Sequence, residues 1–150
     1  MNKIYNIFLD NKKIGSTQLE KGDALLGITY GVLNFINSNM GYDFIKNYCE
    51  KRHFYLSIDY PESKLISTKT IDTLKIVNNN GIEIKWGENQ ITGMDGDEYY
   101  IAIEEIPFPF FEEEFPHYVK AYEDSFKNRE YSVLDICHER SDKIVSQTNN

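Results

Sequence analysis

The chain has 150 residues, 41% of them hydrophobic, and a formal net charge of −8, which fits one folded domain and excludes a disordered chain. Because the charge balance is negative and no basic stripe is present, nucleic acid is not an expected ligand. The start of the chain lacks a signal-peptide pattern and no apolar run is long enough for a bilayer, so we expect a soluble cytoplasmic protein without a membrane partner.

The first predicted element is a β-hairpin over residues 3–9 and 14–20. Side chains of the first run alternate between two faces, as they do in a half-buried strand. Asp10-Asn11-Lys12 supplies turn-forming residues between the two runs. The hairpin therefore begins the predicted sheet.

The apolar stretch 24–36 is compatible with two structures. Asp23 is a suitable cap for a helix, but Gly27 and Gly31 weaken a helix. Apolar side chains at every second position from Leu26 to Val32 favour a strand. We predict the strand and leave the helix as the alternative.

A helix is predicted over 41–52, with Asn37-Ser38-Asn39 as its cap. Its expected buried face has three- and four-residue spacing and comprises Ile45, Tyr48, Cys49 and Arg52. Four short strands are predicted to follow, over 64–69, 73–78, 82–86 and 99–106. Turn residues at 78–81 and 95–97 would join these strands as an antiparallel meander.

A second helix is predicted to begin at Pro116, because proline suits the first helical position. Its expected buried stripe comprises Tyr118, Val119, Tyr122 and Phe126. These elements predict a single α+β domain over residues 1–138, an antiparallel sheet of about six strands (a hairpin plus a meander) with two packed helices. The polar residues 139–150 are predicted to form a frayed tail.

Charge is concentrated in residues 93–124, where ten acids and one base give a net charge of −9, whereas residues 1–92 sum to +1. A focused negative field speeds encounter with a basic partner, and aromatic side chains anchor it. The predicted partner-binding residues are the acids and aromatics Asp95, Asp97, Glu98, Tyr99, Tyr100, Glu104, Glu105, Phe108, Phe110, Glu112, Glu113 and Glu114. The alternative is that these acids form a solvated coat that stabilises the following helix.

The stiff connection from the last strand to the second helix, residues 104–117, carries the predicted anchor. Phe111 and Phe115 are expected to pack inward, since they continue the buried stripe of the helix. At least one of Phe108 and Phe110 is then expected to be exposed beside the glutamates, and we predict Phe110 as a binding hot spot.

No catalytic residue, metal site or cofactor is predicted. Cys49 and His53 are four residues apart, but the adjacent Cys137-His138 pair cannot easily supply the other two ligands of a zinc site. The two cysteines give no disulfide framework and are expected to be reduced. His117 is a candidate general base, so a small enzyme or ligand-binding domain with a pocket near His117 remains the alternative function.

Two stretches, GSTQLEKGDALLGITYG at 15–31 and IPFPFFEEEFPHYVKAYEDSF at 106–126, resemble segments of small bacterial proteins without an established activity. The size, acidity and lack of catalytic signatures are similar to those of immunity proteins that neutralise contact-dependent or other polymorphic toxins. That resemblance is one of type and assigns no binding residue. It implies an inhibitor whose partner is a basic protein, the cognate toxin domain, with a nuclease as the favoured class. The sequence sets no oligomeric state.

Overall fold

The computed structural model describes residues 3–125 and 127. Its elements in chain order are β1 (Tyr5–Leu9), β2 (Lys12–Thr17), β3 (Lys21–Asp23), β4 (Ile28–Phe35), α1 (Tyr42–Arg52), β5 (Leu56–Tyr60), β6 (Leu65–Thr68), β7 (Leu74–Val77), β8 (Glu88–Met94), β9 (Tyr99–Glu104) and α2 (Phe110–Glu114). A third helix, α3, begins at Pro116 and is described through residue 125. The predicted α+β class is confirmed, with more strands and one more helix than expected.

All strand pairs described in the sheet are antiparallel, in the order β5-β6-β8-β9-β4-β2-β1-β7, with β3 paired to β4. The order is not the predicted meander, because β7 pairs with β1 at the far edge of the sheet. There Ile76 lies opposite Ile7 and Leu74 lies opposite Leu9. Strand β7 thus extends the buried apolar rows of the first hairpin, which local turn residues do not reveal.

The first hairpin and the strand after it agree with the predictions. Asp10 and Asn11 both have positive φ, 52° and 64°, as a tight hairpin turn requires. The favoured strand in 24–36 is confirmed as β4. Asp23 Oδ1 accepts hydrogen bonds from the backbone N–H of Leu25 and Leu26, at 2.9 and 3.2 Å, so Asp23 caps a turn before β4.

The first helix is confirmed, but its predicted cap is wrong. Gly41 occupies the N-cap position of α1 without a side-chain cap bond. The cap comes from a distant residue, since Asp95 Oδ1 accepts a hydrogen bond from Tyr42 N–H at 2.9 Å. Ile45 and Cys49 are buried as predicted, whereas Arg52 is partly exposed and forms an ion pair with Asp10.

Three strands, β3, β5 and β8, are absent from the sequence prediction, and residues 82–86 form only an isolated bridge to β7 at Val77 and Glu83. Apolar and polar residues alternate only weakly along β8, because one of its side chains that face the core is an amide. Asn89 is buried, accepts from Ile71 N–H and donates to Ile71 O, both at 3.0 Å. This pairing satisfies the amide, and so a polar residue occupies a core position.

The core lies on one face of the sheet, where α1 packs through Ile45 and Cys49. Phe111 and Phe115 are fully buried, as predicted, with their ring centroids 5.3 Å apart. Each buried phenylalanine stabilises the fold by roughly 1.5–3 kcal/mol, which fixes the 106–115 segment against the sheet.

The predicted stripe of α3 is only partly buried. Tyr118 and Val119 pack against the core, whereas Tyr122 is exposed. Phe126 and the predicted tail 139–150 lie outside the described residues. Within the part of the chain that the structure describes, no helix is long and apolar enough to span a bilayer.

Candidate functional site

Strand β9 divides the acidic segment into two groups. Asp95, Asp97 and Glu98 lie in the turn before β9, and this group is named the turn end. Glu104 is the last residue of β9. A strand of this length spans about 20 Å, so the acids before and after it lie at opposite ends of the sheet. The predicted site residues therefore do not form one continuous surface.

The carboxylates of the turn end are hydrogen-bonded within the protein. Asp95 Oδ1 accepts from Tyr42 N–H and, at 2.7 Å, from the Tyr99 hydroxyl. Glu98 accepts from the Tyr100 hydroxyl at 2.7 Å, and Asp97 accepts from the Glu98 N–H at 2.8 Å. These acids hold α1 and the β8–β9 turn in place.

Two predicted contact residues are buried and do not belong to a binding surface. Tyr99 is 6% exposed and packs against Phe35, with ring centroids 5.2 Å apart. Burial and the Asp95 carboxylate raise the pKa of Tyr99 far above its ordinary value, so its hydroxyl stays a donor. Tyr100, the next residue, faces solvent as β-strand alternation requires.

Glu114 is the second buried exception, at 7% exposure. It accepts hydrogen bonds from the Tyr5 hydroxyl at 3.0 Å, from Asn78 Nδ2 at 2.7 Å and from Lys3 Nζ at 3.3 Å. Burial, and then Glu114, raise the pKa of Tyr5 far above its ordinary value. Glu114 thus connects α2 to the first strand and to the residue after β7. One of the three consecutive glutamates therefore has a structural role.

The other predicted acids of this region gather beside exposed apolar side chains. The Gly27 carbonyl accepts from Ile106 N–H at 3.1 Å, which places the β3–β4 turn next to the segment that follows β9. Leu25 and Leu26 are 68% and 61% exposed there, and Phe108 is 54% exposed. This surface is named the acidic end and comprises Glu104, Glu105, Glu112, Glu113, Leu25, Leu26 and Phe108.

None of the ion pairs among the described residues involves a carboxylate of the acidic end. Those ion pairs join Lys3 to Glu114, Lys46 to Asp59, Arg52 to Asp10 and Lys64 to Asp43. The acidic end therefore presents both net negative charge and exposed apolar area, a combination typical of surfaces that bind a basic partner.

The two phenylalanines differ in exposure, and the predicted hot spot Phe110 is the less exposed one. Phe110 is half-buried against the core and lies under Lys85, whose Nζ is 5.6 Å from the ring centroid. Phe108 is exposed on one side and contacts Phe111 on the other, with centroids 5.3 Å apart. The prediction that at least one of the two is exposed is confirmed by Phe108.

Glu88 is a site residue that the sequence did not indicate. It lies directly opposite Glu104 in the β8–β9 register. Burial first, and then Glu88, raise the pKa of Glu104 above its ordinary value. Glu88 is identified by its register with Glu104 across the two strands, and this register is known only once β8 is assigned.

His117 lies in a separate cleft of about 360 Å³ with Lys3, Tyr5 and Tyr118. Burial, and then Lys3, lower the pKa of His117. Its ring packs against Tyr118 with centroids 4.0 Å apart. Glu104, with its raised pKa, lines a different cleft, so His117 is not paired with that carboxyl.

No cluster suited to a metal ion is found among the described residues. Cys49 is fully buried, and burial raises the pKa of its thiol to about 11, whereas His53 is exposed at the C-cap of α1. Cys137 and His138 lie outside the described residues. Comparison of the chain with protein-family models, with curated proteins and with solved structures gives no match.

Proposed function

We propose that the protein is a toxin-neutralising inhibitor of the immunity type, which binds a basic toxin domain through the acidic end. The observation that carries this proposal is the exposure of Phe108 beside carboxylates that lack ion-pair partners among the described residues. A nuclease is the proposed class of toxin, because its phosphate-binding cleft is basic and an acidic surface competes for it.

The two components of the acidic end have different physical roles in this proposal. Glu105, Glu112 and Glu113 lie on the exposed surface, where their charges attract a basic partner over about one Debye length. Such rim charges mainly raise the association rate. Phe108, with Leu25 and Leu26, supplies apolar area that a partner covers, and such contacts set the lifetime of a complex.

The experiment is a comparison of two triple variants with equal loss of charge. The test variant is Glu105→Gln, Glu112→Gln and Glu113→Gln, and the control is Glu50→Gln, Glu62→Gln and Glu98→Gln, whose glutamates are exposed away from the acidic end. The candidate partner is the product of the neighbouring gene, and its association with each variant is measured by stopped flow at low and at physiological salt.

The test variant is expected to associate roughly tenfold more slowly at low salt and to show a flatter salt dependence. The control variant retains most of the wild-type rate, since long-range attraction is weaker from those positions. Equal rates for the test and control variants would remove the acidic end from the recognition of the partner.

The alternative function, a small enzyme or ligand-binding domain with a pocket near His117, has less support. The His117 ring contacts two aromatic rings, Phe115 and Tyr118, as a packed histidine does. Burial, and then Lys3, lower its pKa. Glu20 lines the same cleft, but its carboxylate accepts a hydrogen bond from Val32 N–H at 2.8 Å and is not hydrogen-bonded to the His117 ring.

A further inference from the structure

A cleft of about 670 Å³ opens at the margin of the acidic end and shares Glu104 with it. It lies between the C-terminal end of α1, the segment after β6 and the start of β8, and its walls include Tyr55, Lys69, Glu88 and Gln90. This volume is within the range of sites that bind small molecules or single side chains.

Glu88 and Glu104 both line the cleft and lie directly opposite each other on neighbouring strands. Two acids in this position destabilise a sheet. Within the described residues, no ion pair offsets that repulsion. A cation placed at this wall would neutralise both carboxylates.

The basic residues of the cleft do not already fill this role. Arg52 forms its ion pair with Asp10, and its guanidinium stacks over the Tyr48 ring at 4.3 Å from the centroid. His53 and Lys69 also line the cleft, and both are exposed. Asp72 lines the cleft as well as the two glutamates, so the net charge of its lining residues other than the ion-paired Arg52 is negative.

The lining of the cleft also includes two aromatic residues, Phe54 and Tyr55. Tyr55 is 77% exposed, although a tyrosine ring usually finds apolar cover, and Phe54 lies next to it in a half-buried position. An aromatic face attracts a guanidinium or ammonium group, and the attraction is strongest for arginine and lysine held close to the ring. Carboxylates and an aromatic ring together therefore recognise an organic cation.

We propose that this cleft binds the guanidinium or ammonium group of a basic side chain of the partner, between the Glu88–Glu104 pair and the Tyr55 ring. The inference rests on the proposed function, since the same basic partner supplies the side chain. It adds a specific contact to the general electrostatic attraction: an arginine favours this geometry because its planar group binds carboxylates with two hydrogen bonds.

The test uses N-acetyl-arginine amide as the probe and N-acetyl-citrulline amide as its uncharged match. Binding is followed by NMR shifts of the backbone signals of Gln90 and Lys69. The arginine probe is expected to bind with a dissociation constant on the order of 1 mM or weaker, and the citrulline probe to give no saturable shift. The variant Glu88→Gln with Glu104→Gln weakens arginine binding roughly tenfold, whereas Glu62→Gln with Glu83→Gln, at exposed positions outside the cleft lining, leaves it unchanged.

Equal binding of the two probes, or arginine binding that the Glu88–Glu104 variant leaves unaltered, would overturn the inference. Agmatine in a parallel titration distinguishes the source of the cation. Binding of agmatine without binding of the blocked arginine would point to a free amine and against a side chain of the partner. Failure of this site is separable from failure of the proposed function, because the triple-variant association rates do not depend on the probe titrations.

Discussion

The two ends of strand β9 carry the same kind of charge and use it differently. At the turn end, each of the three carboxylates accepts a hydrogen bond within the protein, and Asp95 caps α1 across a long sequence separation. At the acidic end, Glu105, Glu112 and Glu113 are exposed, and no described cation pairs with them. Exposed apolar side chains lie beside the second group.

This difference shows that local charge density does not by itself identify a binding surface. A carboxylate that accepts several internal hydrogen bonds stabilises the native state, and its removal exposes unsatisfied donors. An exposed, unpaired carboxylate contributes little to folding and remains free to act on a partner. We therefore predict that replacing an acid that accepts internal hydrogen bonds lowers the free energy of unfolding more than replacing an exposed acid that accepts none.

The largest expected effect belongs to Glu114. Its replacement by alanine leaves Tyr5 and Asn78 without their acceptor and removes one of the two acceptors of Lys3, so the free energy of unfolding falls by about 2–4 kcal/mol. Glu113→Ala, one residue earlier on the exposed side of α2, changes it by less than about 0.5 kcal/mol. Urea denaturation of both variants measures the difference, and equal losses would contradict the assignment of Glu114 as a structural acid.

The second effect concerns the turn end. Asp95→Ala removes the acceptor of both Tyr42 N–H and the Tyr99 hydroxyl, and is expected to cost about 1–3 kcal/mol of stability. Asp97→Ala breaks one local hydrogen bond on an exposed turn and serves as the control. Thermal unfolding followed by circular dichroism compares them. A control that is as destabilised as Asp95→Ala would show that the turn, and not the helix cap, accounts for the effect.

The third effect is on binding. Phe108→Ala is expected to weaken association with the partner by about 1–3 kcal/mol and to leave stability nearly unchanged, because its ring is largely exposed. Phe111→Ala, in the same segment, opens a cavity and lowers the free energy of unfolding by about 3–5 kcal/mol. Calorimetric titration and denaturation of both variants give the two quantities. Wild-type affinity of the Phe108 variant would show that Phe108 does not contribute to binding of the partner.

The class of the fold was predictable from the sequence, but the sheet order was not. Turn residues such as Asp10-Asn11 and strand alternation in β4 are local signals, and both predictions are confirmed. The pairing of β7 with β1 and the polar core position of Asn89 in β8 depend on distant partners. No local pattern in the sequence predicts which distant residues pair in this way.

The candidate site was predictable only in part, for the same reason. The sequence located the acids and one exposed phenylalanine, but Glu114 is buried because Tyr5 and Asn78 converge on it from other strands. Leu25 and Leu26 were expected within a strand and lie instead in an exposed turn. Two residues that flank Leu25 and Leu26 could have predicted this turn. Asp23 accepts a hydrogen bond from Leu25 N–H, and Gly27 has a φ of 65°.

The smallest expected effect is the pH dependence of the Glu88–Glu104 pair. Because the folded-state pKa of Glu104 is raised above its ordinary 4.5, the folded state binds the proton more tightly than the unfolded state. Stability therefore falls as the pH rises from about 4.5 through the folded-state pKa.

Glu104→Gln removes this fall and raises the free energy of unfolding at neutral pH by roughly 0.2–1 kcal/mol, the usual cost of like charges opposite each other. Denaturation at pH 4 and pH 7 measures it, with the exposed Glu112→Gln as the control. A Glu104 variant whose stability still declines over this interval by the wild-type amount would contradict the raised pKa of Glu104.

The most direct test of the central claim is hydrogen–deuterium exchange of the protein, alone and in complex with the toxin domain that the proposed function requires. Binding through the acidic end predicts slower exchange in residues 24–28 and 104–113, with exchange at 95–98 unchanged. Protection that falls on 95–98 and leaves 104–113 at its free rate would contradict the account, because the hydrogen-bonded carboxylates of the turn end would then be the binding surface.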